Sequence, residues 1–265
     1  MVIIGEKLNS SIPKVNEAIS HQDEAFVRDL AKSQEQAGAK YLDINAGMFV
    51  GEELKYLRWL MQAVRNTSSL PLVIDTPDPS VARELLPGYT GEKPILNSIT
   101  LEESRYQPML ELALQYKTGL IALCMNDEGF PEGAERRIEL ALELVEKLTS
   151  AGVNRGDIYL DPMVRPIGSG EGYGMEALDA IRGIRAALPD VHIVCGLSNV
   201  SYGLPKRALI NRTFLVAAMA AGLDAAIMDP LNRELMASLY AADALLGNDE
   251  YCVEYLGAFR DGLMG

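Results

Sequence analysis

Histidine is almost missing from this chain of 265 residues, which holds only His21 and His192. Cysteine is also sparse: Cys124, Cys195 and Cys252 are scattered, with no CxxC pair. A zinc site built from imidazole and thiolate is therefore not expected, and no metal is assigned. Cys124 and Cys195 lie in apolar runs, and all three read as reduced core residues of a cytoplasmic protein. Positive charge is in deficit, 24 Lys and Arg against 37 Asp and Glu, for a net charge of −13. Such a surface is repelled by the phosphates of nucleic acid and of anionic membranes, so neither is expected as a partner. No run reaches the roughly 20 apolar residues of a membrane span. The start, MVIIGEKLNSS, has neither the basic opening nor the long apolar stretch of a signal peptide. No linker or low-complexity stretch divides the chain, so residues 1–265, 48% of them apolar, read as one domain.

What is present is a repeated beat: a helix-like stretch, a glycine, a short apolar run, then a polar residue. It appears as AGAKYLDIN (37–45), TGLIALCMN (118–126), AGVNRGDIYLD (151–161) and AGLDAAIMD (221–229). The glycine suits a helix C-terminus that needs a left-handed residue, and the run after it suits a strand covered on both faces. Eight such runs occur, at 2–5, 41–45, 71–75, 94–97, 119–125, 157–161, 192–198 and 224–229. Amphipathic segments separate most of them. One is 24–38; another is 135–152, where Ile138, Leu142, Val145 and Leu148–Thr149 share a face. Residues 252–263 read as a final flanking helix. This rhythm predicts a (β/α)8 TIM barrel, with a doubly wound open sheet as the structural alternative.

In such barrels function gathers where strands run into the following loops. Nearly every predicted strand here ends on a carboxylate or an amide: Glu6 with Asn9, Asp43 with Asn45, Asp75, Asn97, Asn126, Asp161, Ser198 with Asn199, and Asp229. Asp and Asn also favour turns and helix caps, which suffices for any one of them; eight on one rim ask for more. Carboxylates accept hydrogen bonds, and amides both donate and accept. A flat heterocycle with an N–H beside an NH2 pairs with a carboxylate through two bonds. A pterin, a purine or a guanidine compound meets that description.

MVIIGEKLN, LDINAG, LVIDTPD, ILNSIT, IYLDPM, GLSNVS and LINRTFLVAAMAAGLDAAIMDP occur in this order along the chain. Together they resemble the methyltetrahydrofolate:corrinoid protein methyltransferases. Those enzymes use a pterin-binding barrel related to dihydropteroate synthase and to the folate domain of cobalamin-dependent methionine synthase. The resemblance implies a homodimer that binds tetrahydrofolate or 5-methyltetrahydrofolate in each barrel mouth. It implies a transient partner, a corrinoid protein that supplies the cobalamin. It also implies that Asp75, Asn97 and Asp161 bind the pterin, that Asn199 sits against N5, and that Ser198 and Arg207 lie beside the ligand. Asn199 is the leading catalytic candidate. Asp75 is a second, at the far end of a proton relay, although anchoring the pterin is its simpler task. Glu6, Asn126 and Tyr202 complete the substrate-binding set. Tyr202 departs from the acetogenic members, which carry Gln there, and inclines the expected direction toward transfer of methyl from methylcobalamin to tetrahydrofolate in an anaerobic demethylation pathway.

Other readings are open at this point. A magnesium enzyme would use Glu6, Asp43, Asp75 and Asp161. A Schiff-base aldolase would need Lys7, and a dihydropteroate synthase a basic cluster late in the chain, where only Arg233 stands. A non-catalytic folate-binding protein would bind the same ligand without chemistry. Glu6 is expected to pair with Lys7 or Arg207 if it is structural, and Asp229 before Pro230 reads as structural. GSGEGYG (168–174) resembles a phosphate loop but lacks the P-loop lysine and a strand-to-helix setting, and is read as a mobile loop.

Overall fold

Alternation with period two along each apolar run decides which side chains enter the barrel and which face the helices. The computed structural model describes residues 1–264. Its strands are β1 (Val2–Asn9), β2 (Tyr41–Asn45), β3 (Leu72–Asp75), β4 (Ile95–Ile99), β5 (Gly119–Leu123), β6 (Ile158–Asp161), β7 (His192–Ile193) and β8 (Ala225–Met228). They pair in parallel in the order β7-β6-β5-β4-β3-β2-β1-β8. The two ends of that order meet where Ile227 N donates to Cys195 O at 2.9 Å beside a bridge from Gly196 to Ile227. The result is the expected TIM barrel, not an open sheet.

Helices form the outer ring: α1 (Pro13–Ser20), α2 (Glu24–Gln36), α3 (Glu53–Arg65), α4 (Pro79–Leu85), α5 (Glu103–Tyr116), α6 (Gly133–Ser150), α7 (Tyr173–Ala187), α8 (Arg207–Ala221) and α9 (Arg233–Leu245), with α10 (Val253–Arg260) beyond them. Local chemistry starts several of them. Asp23, Asp78 and Asn232 cap α2, α4 and α9 by accepting from backbone N–H groups. Among the described residues no helix is long and apolar enough to cross a membrane.

Two apolar layers hold the barrel. Leu42, Ile44, Leu72, Ile74 and Leu96 pack outward against the helices. Inside, Ile4, Val73, Ile95, Ile121, Tyr159, Val194 and Ala225 form a separate plug. Two residues further along the strands from that plug, on the same inward face, come Glu6, Asp75, Asn97, Leu123, Asp161, Gly196 and Ile227; Asp43 is the inward residue of β2 that joins them. The fold therefore sets a polar layer directly above an apolar floor.

Several sequence expectations change in detail. β1 runs on to Asn9 through a register shift between Gly5 and Leu8, so Glu6 lies within the strand and not after it. β7 keeps ladder pairing only at His192–Ile193. Leu197–Ser201 curls into a short 3-10 turn, so Ser198 and Asn199 sit on a helical turn beyond the extended run. Gly38, Gly152 and Gly222 have the left-handed φ expected after helices, but after α5 that role falls to Lys117, at φ 54°. Gly119 serves closeness instead: a Cβ there would stand 3.0 Å from Ile95 Cγ1. In α6 the buried stripe is Leu140, Ala141, Leu144, Val145 and Leu148, while Leu142 is 43% exposed. Val145 and Leu148 of the expected face are buried, but the segment has aliphatic residues on more than one side, and periodicity alone misplaced Leu142. Cys124 and Cys195 are buried and unpaired as expected, but Cys252 is exposed at the start of α10. GSGEGYG does lead from a strand to a helix, since Tyr173 opens α7.

Candidate active site

A cavity of about 870 Å³ opens at the C-terminal ends of the strands, the end where the polar layer lies. Glu6, Asp75, Asn97, Asp161, Ser198 and Asn199 line it, and Tyr202 and Arg207 stand at its edge. Sequence reasoning placed all eight there. Asn126 is different. It follows β5 beyond Leu123, accepts from Glu128 N at 3.1 Å and donates to the Glu128 side chain at 3.4 Å. The structure brings it into its own loop and not to the cavity wall, as the turn-forming chemistry of Asn allows.

The carboxyl groups are held by amides. Asn45 Nδ2 donates to Asp75 Oδ2 at 2.9 Å, while Asn45 Oδ1 accepts from Ser10 Oγ and from Gly47 N, both at 3.0 Å. Those contacts fix the Asn45 amide, which in turn fixes Asp75. Asn97 Nδ2 reaches Asp43 Oδ2 at 3.5 Å. Asp161 Oδ1 accepts from Met163 N at 2.7 Å. Glu6 Oε2 accepts from Ser198 Oγ at 3.1 Å. Glu6 thus pairs with neither of the two cations expected of it. Lys7 Nζ bonds Asp229 Oδ2 at 3.1 Å, and Arg207 donates to Ser201 Oγ at 3.0 Å and to Ser198 O at 2.7 Å. Arg207 braces the turn that carries Ser198 and Asn199, with Tyr202, 70% exposed, flanking its guanidinium.

Burial sets the electrostatics. It pushes the Asp161 carboxyl up to about 6, against the lowering effect of the Met163 and Gly196 N–H groups and of Arg137. Burial likewise lifts Asp75 to about 6, with Asn45 opposing and Glu53 adding to the rise. Asp43 is pushed well above the carboxylate range, by burial first and then by the charge of Asp75. Glu6 is raised by burial, with Ser198 opposing and Asp229 assisting. These four carboxyls share one mouth, and at Asp43 the charges of Asp75 and Glu6 add to the cost of burial. A ligand edge carrying N–H donors relieves that strain better than water held at the same depth does.

The reach of Asn199 depends on the residue three before it. A Cβ on Gly196 would lie 3.0 Å from Asn199 Nδ2, so glycine leaves the amide room above the polar layer. Residues that sequence reasoning did not single out also line the cavity: Ile12 and Pro13 at the start of α1, Asn211 on α8 and Asn232 before α9. Asn211 follows Arg207 by four positions, which places both on one helix face; that spacing was the available signal. Lys7 and Asp229, paired, form part of the same wall. Among the described residues no group of three or more His, Cys, Asp or Glu is placed to hold a metal ion.

Comparisons with known proteins agree with this fold. A family model described as a pterin binding enzyme matches residues 5–229. A methylcorrinoid:tetrahydrofolate methyltransferase from Eubacterium limosum is 40% identical over 100% of this chain and 98% of its own. A methionine synthase from Mycobacterium tuberculosis is 30% identical over 88% of this chain, which matches only 21% of that longer protein. Among solved structures, a dihydropteroate synthase from Yersinia pestis with a pterine-sulfa conjugate superposes with a TM-score of 0.68. It covers 93% of this chain and 94% of its own at 18% identity, a likeness of fold.

Proposed function

The chain belongs to the pterin binding enzyme family, and from that premise we propose that it is a methyltransferase working between a corrinoid and N5 of tetrahydrofolate. The observation that carries this reading is the inward polar layer of Asp75, Asn97 and Asp161, with Asn199 poised over it on a braced turn. The whole-length relative named for that reaction supports it. Residues 1–265 act as one pterin-binding domain. Two carboxylates accept from the amidine-like edge of the pterin, Asn97 serves its ring nitrogens and carbonyl, and Ser198 and Arg207 flank it.

In the direction from methylcorrinoid to tetrahydrofolate, the N5 lone pair forms the new N–C bond. The Co–C bonding pair stays with cobalt, and the N5 proton departs. In reverse, N5 must gain that proton, because a tertiary amine leaves poorly as an anion. Asn199 serves either course by holding its amide against N5 while charge changes there, an interaction that strengthens in the transition state. An amide does not itself release a proton at these pH values. The proton comes from solvent or through a relay whose far end is Asp75, raised to about 6, while the main task of Asp75 is to anchor the pterin. The corrinoid arrives as a substrate on a transient partner protein, past Tyr202 at the open rim. The protein works as a homodimer in an anaerobic cytoplasm; a dimer on light scattering is the expected result.

The test is anaerobic. Protein, methylcobalamin and tetrahydrofolate are mixed and the cobalt absorbance is followed. Conversion to cobalt(I) that depends on tetrahydrofolate is expected. Binding of tetrahydrofolate with an unchanged cobalt spectrum would favour the non-catalytic folate-binding reading instead.

A further inference from the structure

Gln34 is fully buried on the stripe of α2 that also buries Val27 and Ala31. Its Oε1 accepts from Lys7 N of β1 at 3.0 Å, and its Nε2 has no hydrogen-bond partner among the described residues. A buried amide with one end unsatisfied costs more than a leucine that would fill the same space. What it holds is an irregularity. β1 pairs with β2 as Gly5 with Leu42 and then Leu8 with Ile44, so Glu6 and Lys7 together stand opposite Asp43 alone. That is a one-residue bulge, and the N–H at its second position needs an acceptor from outside the ladder. Gln34 supplies it, reaching the strand beside Gly5, which has no side chain in the way.

The bulge breaks the alternation of the strand. Ile4 belongs to the inner plug, and Gly5 faces α2. Glu6 and Lys7 then both line the cavity, Leu8 returns to the outer layer, and Asn9 lines the cavity again. A regular strand would put only one of Glu6 and Lys7 in the mouth. Each makes one bond across the barrel there. Lys7 Nζ meets Asp229 Oδ2 at 3.1 Å, just after β8. Glu6 Oε2 accepts from Ser198 Oγ at 3.1 Å, on the turn after β7. β7 keeps ladder pairing at His192–Ile193 only, so a side chain of β1 holds that turn where ladder bonds no longer do. Ser198 is the residue before Asn199.

We propose that Gln34 is a positioning residue: by accepting the Lys7 N–H it holds the bulge that turns Glu6 and Lys7 together into the barrel mouth, and through the Glu6–Ser198 bond it sets the turn that carries Asn199. It lies outside the barrel and touches no ligand; it acts through the backbone of β1. The inference rests on the proposed role of Asn199 in methyl transfer, but its first readout does not.

That readout is the pair of side-chain amide resonances of Asn199 in the unliganded protein, labelled with nitrogen-15 and assigned by their loss in Asn199→Ala. In Gln34→Leu the pair should move, while the pair of Asn154, at the opposite end of the barrel before β6, should not. Turnover of methylcobalamin with tetrahydrofolate should fall about ten-fold. Tetrahydrofolate affinity should fall by no more than roughly three-fold, because Asp75, Asn97 and Asp161 stand on strands that do not pair with β1. Deleting Lys7 from Gln34→Leu removes the orphaned N–H and restores a regular strand with Glu6 still inward, so the urea midpoint should rise above that of Gln34→Leu. An unmoved Asn199 pair in a folded Gln34→Leu protein overturns the proposal, as do equal losses of turnover and affinity, or a deletion that lowers the midpoint further. If Gln34→Leu does not fold, the variant that also lacks Lys7 decides: its folding supports the bulge, and its failure to fold is the contrary result. A wild type that forms no cobalt(I), with the Asn199 pair moved as expected in Gln34→Leu, counts against the methyltransferase reading and leaves the positioning role of Gln34 standing.

Discussion

At the residue scale, Asn199 and the strand-end carboxylates separate by what their loss does. Asn199→Ala removes an interaction that matters most as charge changes at N5, so turnover should drop by about 10²–10³ while tetrahydrofolate affinity, read by calorimetry, changes little. Equal losses in both would remove Asn199 from the chemistry. Asp161→Ala leaves a desolvated donor edge unpaired and should weaken binding by about 1–3 kcal/mol, with little effect on the transfer rate at saturation. Gly196→Ala tests the fit between the two: a Cβ 3.0 Å from Asn199 Nδ2 shifts the amide, and turnover should fall about ten-fold or more in a protein of nearly normal Tm. The place of Asp75 and Asp161 at the mouth was readable early because each ends an apolar run, where Asp has no packing purpose. The pairing of Glu6 with Ser198 was not readable, since it joins residues 192 positions apart. Nor was the burial of Arg137 against Glu176 of α7, because an arginine in an amphipathic segment reads as a solvated charge until the neighbouring helix is in place.

Among the elements, β1 carries a constraint of its own. Gly5 lies against the buried Gln34 of α2, where a Cβ would stand 2.5 Å from Gln34 Oε1, the acceptor of Lys7 N at 3.0 Å. Gly5→Ala forces that amide away and unsettles the stretch that holds Glu6 and Lys7. The expected loss is about 1–3 kcal/mol, read as a lower midpoint in urea; an unchanged midpoint would mean that α2 yields freely. Most elements were legible from periodicity because each strand is apolar on both faces and each helix is striped. β2 fell where expected to the residue. The extension of β1 and the early end of β7 were hidden by the same cause: a strand that lines the mouth carries polar residues, and polar residues look like loop. In α6 the aliphatic residues exceed one stripe, so the buried face followed from packing against α7 and not from spacing.

For the molecule as a whole, function and stability pull against each other at the mouth. Asp75 and Asp161 titrate near 6 when folded, above the ordinary value of 3.8. Between those values the folded chain binds more protons than the unfolded one, so the unliganded protein loses stability as pH rises through that window and regains it on acidification toward 4. At pH 7.5 both groups are ionised and their burial cost is fully felt. Asp161→Asn should therefore raise the unfolding free energy by about 1–2 kcal/mol at pH 7.5, with no gain near pH 4, while folate binding weakens. A variant less stable than wild type at pH 7.5 would show that Asp161 is held for structure. The measurement that bears most directly on the central claim is a crystal structure of the protein soaked with tetrahydrofolate. The account requires the amidine-like edge of the pterin between Asp75 and Asp161, with N5 turned toward Asn199. A pterin lodged outside the barrel mouth, or one whose donor edge faces away from both carboxylates, contradicts it.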